Sequence, residues 1–162
     1  MSDLFTSVSI NSALIPSTTV DFSVGAGAYG PYRVTDIDWQ QQIVGTPEPK
    51  LQGYGSWPTW RDIRLLVITM EGTIVGTTAS DYWAMRKALA AAIVPPPGFN
   101  RAVRYHGTLT VTVPSVGAVW ALVNLVDYSM PVSHATGNTS RYQFTWQCDL
   151  GYWTSGSTAI SL

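Results

Sequence analysis

Two segments of the chain alternate apolar and polar side chains with the period of a β-strand. In residues 101–113 the apolar side chains fall on odd numbers, and in residues 140–149 they fall on even numbers. Because successive side chains of a strand point to opposite faces, each segment predicts a strand with one buried face. The predicted inward side chains are Val103, Tyr105, Leu109, Val111 and Val113 in the first segment and Tyr142, Phe144, Trp146 and Cys148 in the second.

Other strands are predicted from weaker patterns. Residues 116–130 are apolar on both faces, which predicts a strand covered on both sides, with one cover from another subunit. Residues 4–10, 18–24 and 32–40 predict three more strands, the last with one apolar half at best. Residues 45–60 are rich in Pro, Gly and aromatic side chains and predict a long loop.

One helix is predicted, at about residues 80–93. Thr78 or Ser80 can cap its N-terminus, Asp81 complements the helix dipole, and the proline run at 95–97 prevents continuation. Its apolar stripe consists of Tyr82, Met85, Leu89, Ala92 and Ile93, whereas Arg86 and Lys87 occupy the other face. The predicted fold class is therefore mainly β, an antiparallel β-sandwich-like single domain spanning residues 1–162 with one packed helix.

Composition narrows the classes of partner. Only 12% of the 162 residues are charged, about half the usual quarter, while 46% are hydrophobic and include seven Trp and eight Tyr. A surface with so few charges predicts burial by other subunits. The net charge of −1 gives no basic field for autonomous nucleic-acid or anionic-membrane binding. The start of the chain has no signal-peptide pattern and no apolar run approaches about 20 residues, so we expect cytoplasmic synthesis and no membrane insertion.

Candidate catalytic and metal-binding residues are few. The single Cys148 is predicted to be a small buried hydrophobe, His106 a solvent-facing or interface residue, and His134 a loop residue. None of them has metal-ligand spacing, so no metal and no cofactor are predicted. The glycines of residues 24–30 match a dinucleotide-binding pattern poorly and predict a turn. Asp36 and Asp38 share one strand face, where a solvated surface is favoured over glycosidase chemistry or a calcium site.

Tryptophan supplies the candidate binding residues. Trp57, Trp60, Trp83, Trp120 and Trp153 are predicted to be anchors in a subunit interface, because Trp is enriched there. The alternative is a sugar-stacking platform in a carbohydrate-binding module, using Trp57, Trp60 or Trp153.

The order of several short segments points to a family. These segments are Tyr32-Arg33-Val34 with Trp39, Arg61-Asp62-Ile63-Arg64, Met70-Glu71-Gly72-Thr73-Ile74-Val75-Gly76, Asp81-Tyr82-Trp83-Ala84-Met85-Arg86-Lys87-Ala88-Leu89 and Tyr142-Gln143-Phe144-Thr145-Trp146-Gln147-Cys148-Asp149. In this order they resemble the distal tail proteins of long non-contractile-tailed bacteriophages. The resemblance spans roughly residues 30–153.

The resemblance implies a scaffold rather than an enzyme. Proteins of that family form a sixfold ring at the virion tail tip from a β-sandwich-like domain with a helix, and they leave a channel for DNA. The implied partners are copies of the chain itself, the tail tube protein, a tail hub or tail-associated protein and the tape measure protein, with DNA only in transit. Assembly is expected in the host cytoplasm. We expect a short form without the galectin-like C-terminal domain that many members carry.

Three other functions stay open from the sequence. A tail tube or head-to-tail joining protein would stack into tubes or form a ring of another size, and a carbohydrate-binding module would be monomeric. An enzyme has the least support, because no nucleophile, base or metal set converges. The low charge and the two-sided apolar strand agree with a subunit that is buried by its own copies.

Overall fold

The computed structural model describes residues 5–25, 30–44, 48–49, 56–57, 63–99, 105–132, 137–148, 150–156 and 158–160. These residues form eleven strands and one α-helix. In chain order the elements are β1 (Ser7–Ser12), β2 (Thr18–Phe22), β3 (Tyr32–Val44), β4 (Glu48–Pro49), β5 (Ser56–Trp57), β6 (Ile63–Val75), α1 (Ala79–Ile93), β7 (Gly107–Val113), β8 (Gly117–Ser129), β9 (Thr139–Cys148), β10 (Trp153–Ser155) and β11 (Thr158–Ile160). The predicted fold class, mainly β with a single helix, is confirmed.

Nine of the described strands belong to one antiparallel sheet. Its main path runs β2-β1-β7-β8-β9-β6-β3, and β10 joins β8 through the pair Thr154 and Trp120, with β11 beside β10. The two short strands β4 and β5 pair separately inside the predicted loop at 45–60, and the rest of that loop lies outside the described residues.

The sheet curls on itself because β8 is shared between its two halves. Residues 117–123 of β8 pair with β7, whereas β9 takes over from Asn124. An isolated bridge between Ser23 and Arg33 links the far ends of the path. The halves then face each other across one core, where Phe22 lies 6.0 Å from Tyr142 and the Trp39 and Trp153 rings lie 5.6 Å apart.

The two alternating segments form strands, and most of the side chains predicted to point inward are buried. In β9, Tyr142, Phe144, Trp146 and Cys148 are all buried, and in β7 Leu109 and Val111 are buried. Each such side chain stabilises the fold by about 1.5–3 kcal/mol on burial. Tyr105 is wrongly predicted as inward: β7 begins at Gly107, so Tyr105 precedes the strand and is exposed. Residues 101–104 lie outside the described residues.

A bulge explains why β3 shows only one apolar half in the sequence. The register with β6 shifts between Val34 and Asp36. Before the bulge Tyr32 and Val34 pack on the core, and after it the inward side chains are Ile37 and Trp39. The extra residue therefore turns Asp36 and every second residue after it to the outer face.

The predicted strand at 116–130 forms as β8, but the described residues cover only one of its faces. Val119, Ala121 and Val123 are buried, whereas Trp120 and Leu122 are half-buried and Val126 and Tyr128 are exposed. A second bulge lies between Leu125 and Asp127. Cover from another subunit stays a prediction.

The helix is capped and anchored as its sequence predicts. The Thr78 hydroxyl accepts the Asp81 backbone N–H at 3.2 Å, and the helix ends at Ile93. Its stripe faces the core, with Tyr82, Leu89, Ala92 and Ile93 buried and Met85 packed against them. Hydroxyls of Tyr32 and Ser12 donate to the carbonyls of Met85 (2.8 Å) and Ala92 (2.6 Å), which ties the helix to β3 and β1. Among the described residues no helix is both long and apolar enough to span a bilayer.

Candidate functional site

The titratable groups with shifted pKa values have structural partners. The buried hydroxyl of Tyr142 donates to the Arg33 carbonyl at 3.1 Å, and burial raises the pKa of Tyr142 well above its ordinary value. Burial also raises the pKa of Tyr32, whose hydroxyl holds the helix. Both phenols therefore stay neutral donors and hold elements together.

Tyr142 reaches the β3 bulge because Gly72 has no side chain. A Cβ atom at Gly72 would lie 2.1 Å from the Arg33 carbonyl oxygen and 2.3 Å from the Tyr142 hydroxyl. Gly72 pairs with both Tyr142 and Val34, so the ring lies where the missing side chain would be. Such an aromatic cover over a strand glycine supports the register beside it.

His106 has a partner that the sequence did not predict. The His106 Nδ1 atom accepts the Leu125 backbone N–H at 2.9 Å, and the His106 backbone N–H donates to the Val123 carbonyl at 2.9 Å. Because β7 begins at Gly107, His106 lies beside the point where β8 leaves β7, and its ring replaces a strand partner there. Burial lowers the pKa of His106, which favours the neutral ring that this acceptor role needs.

The described residues contain no group of three His, Cys, Asp or Glu side chains arranged to hold a metal. Cys148 is free and buried, as predicted. Asp36 and Asp38 are exposed on the same outer face, which agrees with the predicted solvated surface. His134 and residues 26–29 of the glycine-rich segment lie outside the described residues.

The five tryptophans predicted as interface anchors lie in different environments. Trp83, on the outer side of the helix, is 53% exposed, and Trp120 is half-buried on the outer face of β8. Trp153 is wrong as an anchor, because it is buried in the core of its own chain against Trp39. The Trp57 side chain and all of Trp60 lie outside what the structure describes.

The helix and the segment at the end of β8 both carry exposed apolar side chains. The Arg86 Nη2 group donates to the Met130 carbonyl, which joins the two elements. Trp83 lies one helical turn before Arg86, and Val132 follows Met130 by two residues. We define the junction patch as Trp83, Val126, Tyr128 and Val132, whose exposed fractions are 53%, 61%, 50% and 50%.

Arg86 is a correction to the sequence interpretation. It was predicted on the polar face of the helix with Lys87, yet it is half-buried and its Nη1 atom is buried with no hydrogen-bond partner among the described residues. The position borders the apolar stripe, so the aliphatic stem can pack while the guanidinium reaches Met130. No sequence pattern encodes this tertiary contact.

A second outer surface is polar and carries most of its charge as carboxylates. We define the acidic face as the outward side chains of β3, β6, β9 and the distal half of β8. It comprises Arg33, Asp36, Asp38, Gln40, Gln42, Leu65, Val67, Thr69, Glu71, Thr73, Val75, Asn124, Asp127, Ser129, Thr139, Arg141, Gln143, Thr145 and Gln147.

The register aligns these side chains in rows across four strands. One row reads Asp38, Thr69, Thr145, Asp127, and the next reads Asp36, Glu71, Gln143, Ser129. Asp36 and Glu71 are directly opposite each other, a like-charge pair that costs stability. Arg33 and Arg141 flank Thr73 in the following row. The face therefore holds four of the chain's ten acidic residues beside two of its nine basic residues.

Comparison with known proteins finds similarity in solved structures alone. No family model and no curated protein matches the sequence. A chain in the structure "Tail of empty GTA particle computed with helical refinement, C6 symmetry" is similar, with 14% identity, 96% of each chain covered and a TM-score of 0.44. A chain in "Virion of native gene transfer agent (GTA) particle" has 13% identity, covers 86% of this chain and 93% of its own, and has a TM-score of 0.39.

Proposed function

We propose that this chain is a structural protein of a phage-type tail that assembles with copies of itself into a closed, sixfold ring. We place the ring at the distal tip of the tail, between the tail tube and the hub or receptor-binding proteins, with a channel for DNA. The chain carries out no chemistry in this role.

The junction patch is the observation that carries the proposal. Four large apolar side chains are half or more exposed on the two segments that the Arg86 contact joins, in a chain where only 12% of residues are charged. Trp and Tyr are enriched in the cores of subunit interfaces, where burying them supplies much of the binding energy. A standard interface buries about 800 Å² per partner, so the patch would form the apolar centre of the contact and polar residues around it would form the rest.

A second copy of the chain is the partner that closes a ring. The patch on one side of a subunit must then meet a different surface of its neighbour, because only such head-to-tail contacts generate a ring. Trp83 belongs to the patch, and Trp120, Trp57 and Trp60 remain proposed contacts elsewhere in the assembly. The order along the chain of the segments that resemble distal tail proteins supports the position of the ring at the tail tip.

The test is the mass of the purified protein in solution. We expect light scattering after size exclusion to give a species of about six times the 17.6 kDa chain. The variant Val126→Ser/Tyr128→Ser removes half of the patch and should be monomeric with an unchanged circular dichroism spectrum. The control Ile15→Ser/Leu150→Ser changes two other exposed apolar residues and should assemble like the native chain.

Three outcomes contradict the proposal. A native chain that stays monomeric has no ring, and a patch variant that still assembles places the contact elsewhere. Extended tubes would favour the tail tube alternative. A monomer that binds glycans saturably would favour the carbohydrate-binding module, although Trp153 is too buried to contact a sugar.

A further inference from the structure

We propose that the acidic face forms the wall of the ring's channel and is the surface along which duplex DNA passes. This inference rests on the proposed ring, and it assigns one particular face of the sheet to the lumen. It does not make the carboxylates a binding site, because their effect on DNA is to prevent adhesion.

The chemistry of the face suits a surface that does not hold DNA. Its side chains are mostly carboxylates, amides and hydroxyls, together with three half-buried apolar residues, Leu65, Val67 and Val75, and two cations, Arg33 and Arg141. A protein holds DNA mainly by neutralising phosphates with Lys and Arg and releasing counterions. A face with four carboxylates releases few counterions, so a duplex can lie against it and still move.

The arrangement of carboxylates on this face costs stability without serving the fold. Asp36 and Glu71 face each other across β3 and β6, and Asp38 lies in the adjoining row. Opposite charges at these positions would stabilise the sheet. The β3 bulge, held by the Tyr142 hydroxyl over Gly72, is what turns Asp36 and Asp38 outward. The packing of Tyr142 over Gly72 therefore helps to keep several mutually repelling carboxylates on one face of the sheet.

The outer face of the other half of the sheet has a different chemistry. The outward residues of β1, β2 and β7 are Ser7, Ser9, Asn11, Thr19, Asp21, Thr108, Thr110 and Thr112. This hydroxyl face has Asp21 as its one carboxylate, and the half-buried Trp120 and Leu122 of β8 continue it. A hydroxyl face that continues into Trp120 and Leu122 suits contact with another protein, whereas the acidic face suits the wall of a channel.

The experiment reverses the charge of each face and asks which DNA topology binds. The acidic-face variant is Asp38→Lys/Gln40→Lys/Gln143→Lys. The matched control on the hydroxyl face is Asn11→Lys/Thr19→Lys/Asp21→Lys. All six positions are exposed, and each variant gains the same charge, two units from the aspartate and one from each neutral residue. The single variant Gln143→Lys is carried alongside as a milder change.

Rings of each protein are first isolated by size exclusion and verified by mass. They are then titrated at low salt into a linear duplex of about 300 base pairs and into the same sequence as a covalently closed circle, a length that DNA can bend into a circle. A preformed closed ring threads onto a free end but cannot admit a closed circle. Binding to the lumen therefore requires linear DNA, whereas binding to the outside does not.

We expect rings of the acidic-face variant to bind linear DNA at least about tenfold more tightly than the circle, and the single variant to show the same preference more weakly. Hydroxyl-face rings should bind both forms equally, and native rings should bind neither. Equal or absent binding by acidic-face rings, or a linear preference in the control, would overturn the assignment and leave the ring intact. A native chain that forms no ring would overturn both proposals at the earlier step.

Discussion

The acidic face and the junction patch are two exposed surfaces of the molecule, and they differ in almost every property that governs contact. Both include residues of the distal half of β8: Asp127 and Ser129 belong to the acidic face, while Val126 and Tyr128 belong to the patch. The acidic face is broad, regular and polar. The patch is small, apolar and placed where the helix meets the sheet.

The comparison of these two surfaces shows that the few charged residues of the chain are not distributed evenly over its surface. Carboxylates are concentrated on the surface that should not adhere to a polyanion, whereas the four residues of the patch are uncharged and the neighbouring Arg86 is half-buried. A bulge lies at each edge of the four-stranded layer, in β3 and in β8, and each shifts which later side chains point outward.

The largest expected effect is the difference in unfolding free energy between truncating a buried tryptophan and truncating an exposed one. Trp153→Ala should lower the free energy of unfolding by about 3–5 kcal/mol, because it leaves a cavity beside Trp39. Trp83→Ala should change it by less than about 0.5 kcal/mol and should reduce the ring population. Urea unfolding in the Val126→Ser/Tyr128→Ser background avoids stabilisation by assembly. Equal losses in the two variants would contradict the distinction between core and patch.

Gly72→Ala tests the packing of Tyr142 over Gly72, which supports the β3 bulge and the acidic face. The added Cβ would collide with the Arg33 carbonyl and the Tyr142 hydroxyl, and we expect a loss of about 3 kcal/mol in unfolding free energy. Thr73→Ala, at the next position but outward, should cost less than about 1 kcal/mol. A tolerated alanine at position 72 would mean that the bulge does not depend on this close approach.

His106 connects the two halves of β8, and its effect should depend on pH. Burial lowers its pKa in the folded chain, so below the ordinary value of about 6.5 the unfolded chain takes up the proton more readily. Its contribution to stability is therefore present above that pH and is lost as the pH falls. His106→Gln should lose about 1 kcal/mol at neutral pH and show a smaller decline on acidification.

The measurement for His106 is the urea midpoint of both proteins at about pH 7.5 and pH 5.5. His134 and the carboxylates are common to both chains, so their titration cancels in the comparison. Parallel pH profiles would show that the ring of His106 does not hold Leu125 as a neutral acceptor.

The smallest expected effect is a gain in unfolding free energy. Glu71→Gln removes the repulsion with Asp36 and should raise the unfolding free energy by about 0.5 kcal/mol. Salt should abolish the gain, because it screens exposed charges. Asp21→Asn, which faces Ser9, is the control and should be neutral. A loss of stability on Glu71→Gln would mean that the acidic face is not under electrostatic strain.

The sequence predicts those elements whose pattern is unbroken. β9, most of β7 and the capped helix follow from alternation, from the three-to-four spacing and from Thr78. β3 and β8 follow only in part, because a bulge shifts the face of every later residue and so breaks the regular alternation from which a face is predicted.

The candidate site is less predictable than the fold. Composition treats all tryptophans alike, so Trp153 in the core and Trp83 at the surface could not be told apart. Arg86 and His106 acquire their partners from residues 44 and 19 positions away, which no local pattern specifies. The shared outward direction of Asp36 and Asp38 was predictable from their spacing, whereas their alignment with Glu71 and Asp127 depends on register.

The central claim is that copies of this chain close into a ring, and images of the purified assembly test it most directly. Class averages from negative stain, taken from the size-exclusion peak, should show a closed annulus with sixfold symmetry and an open centre. Single small particles, open filaments or stacked tubes without a discrete ring would contradict the account.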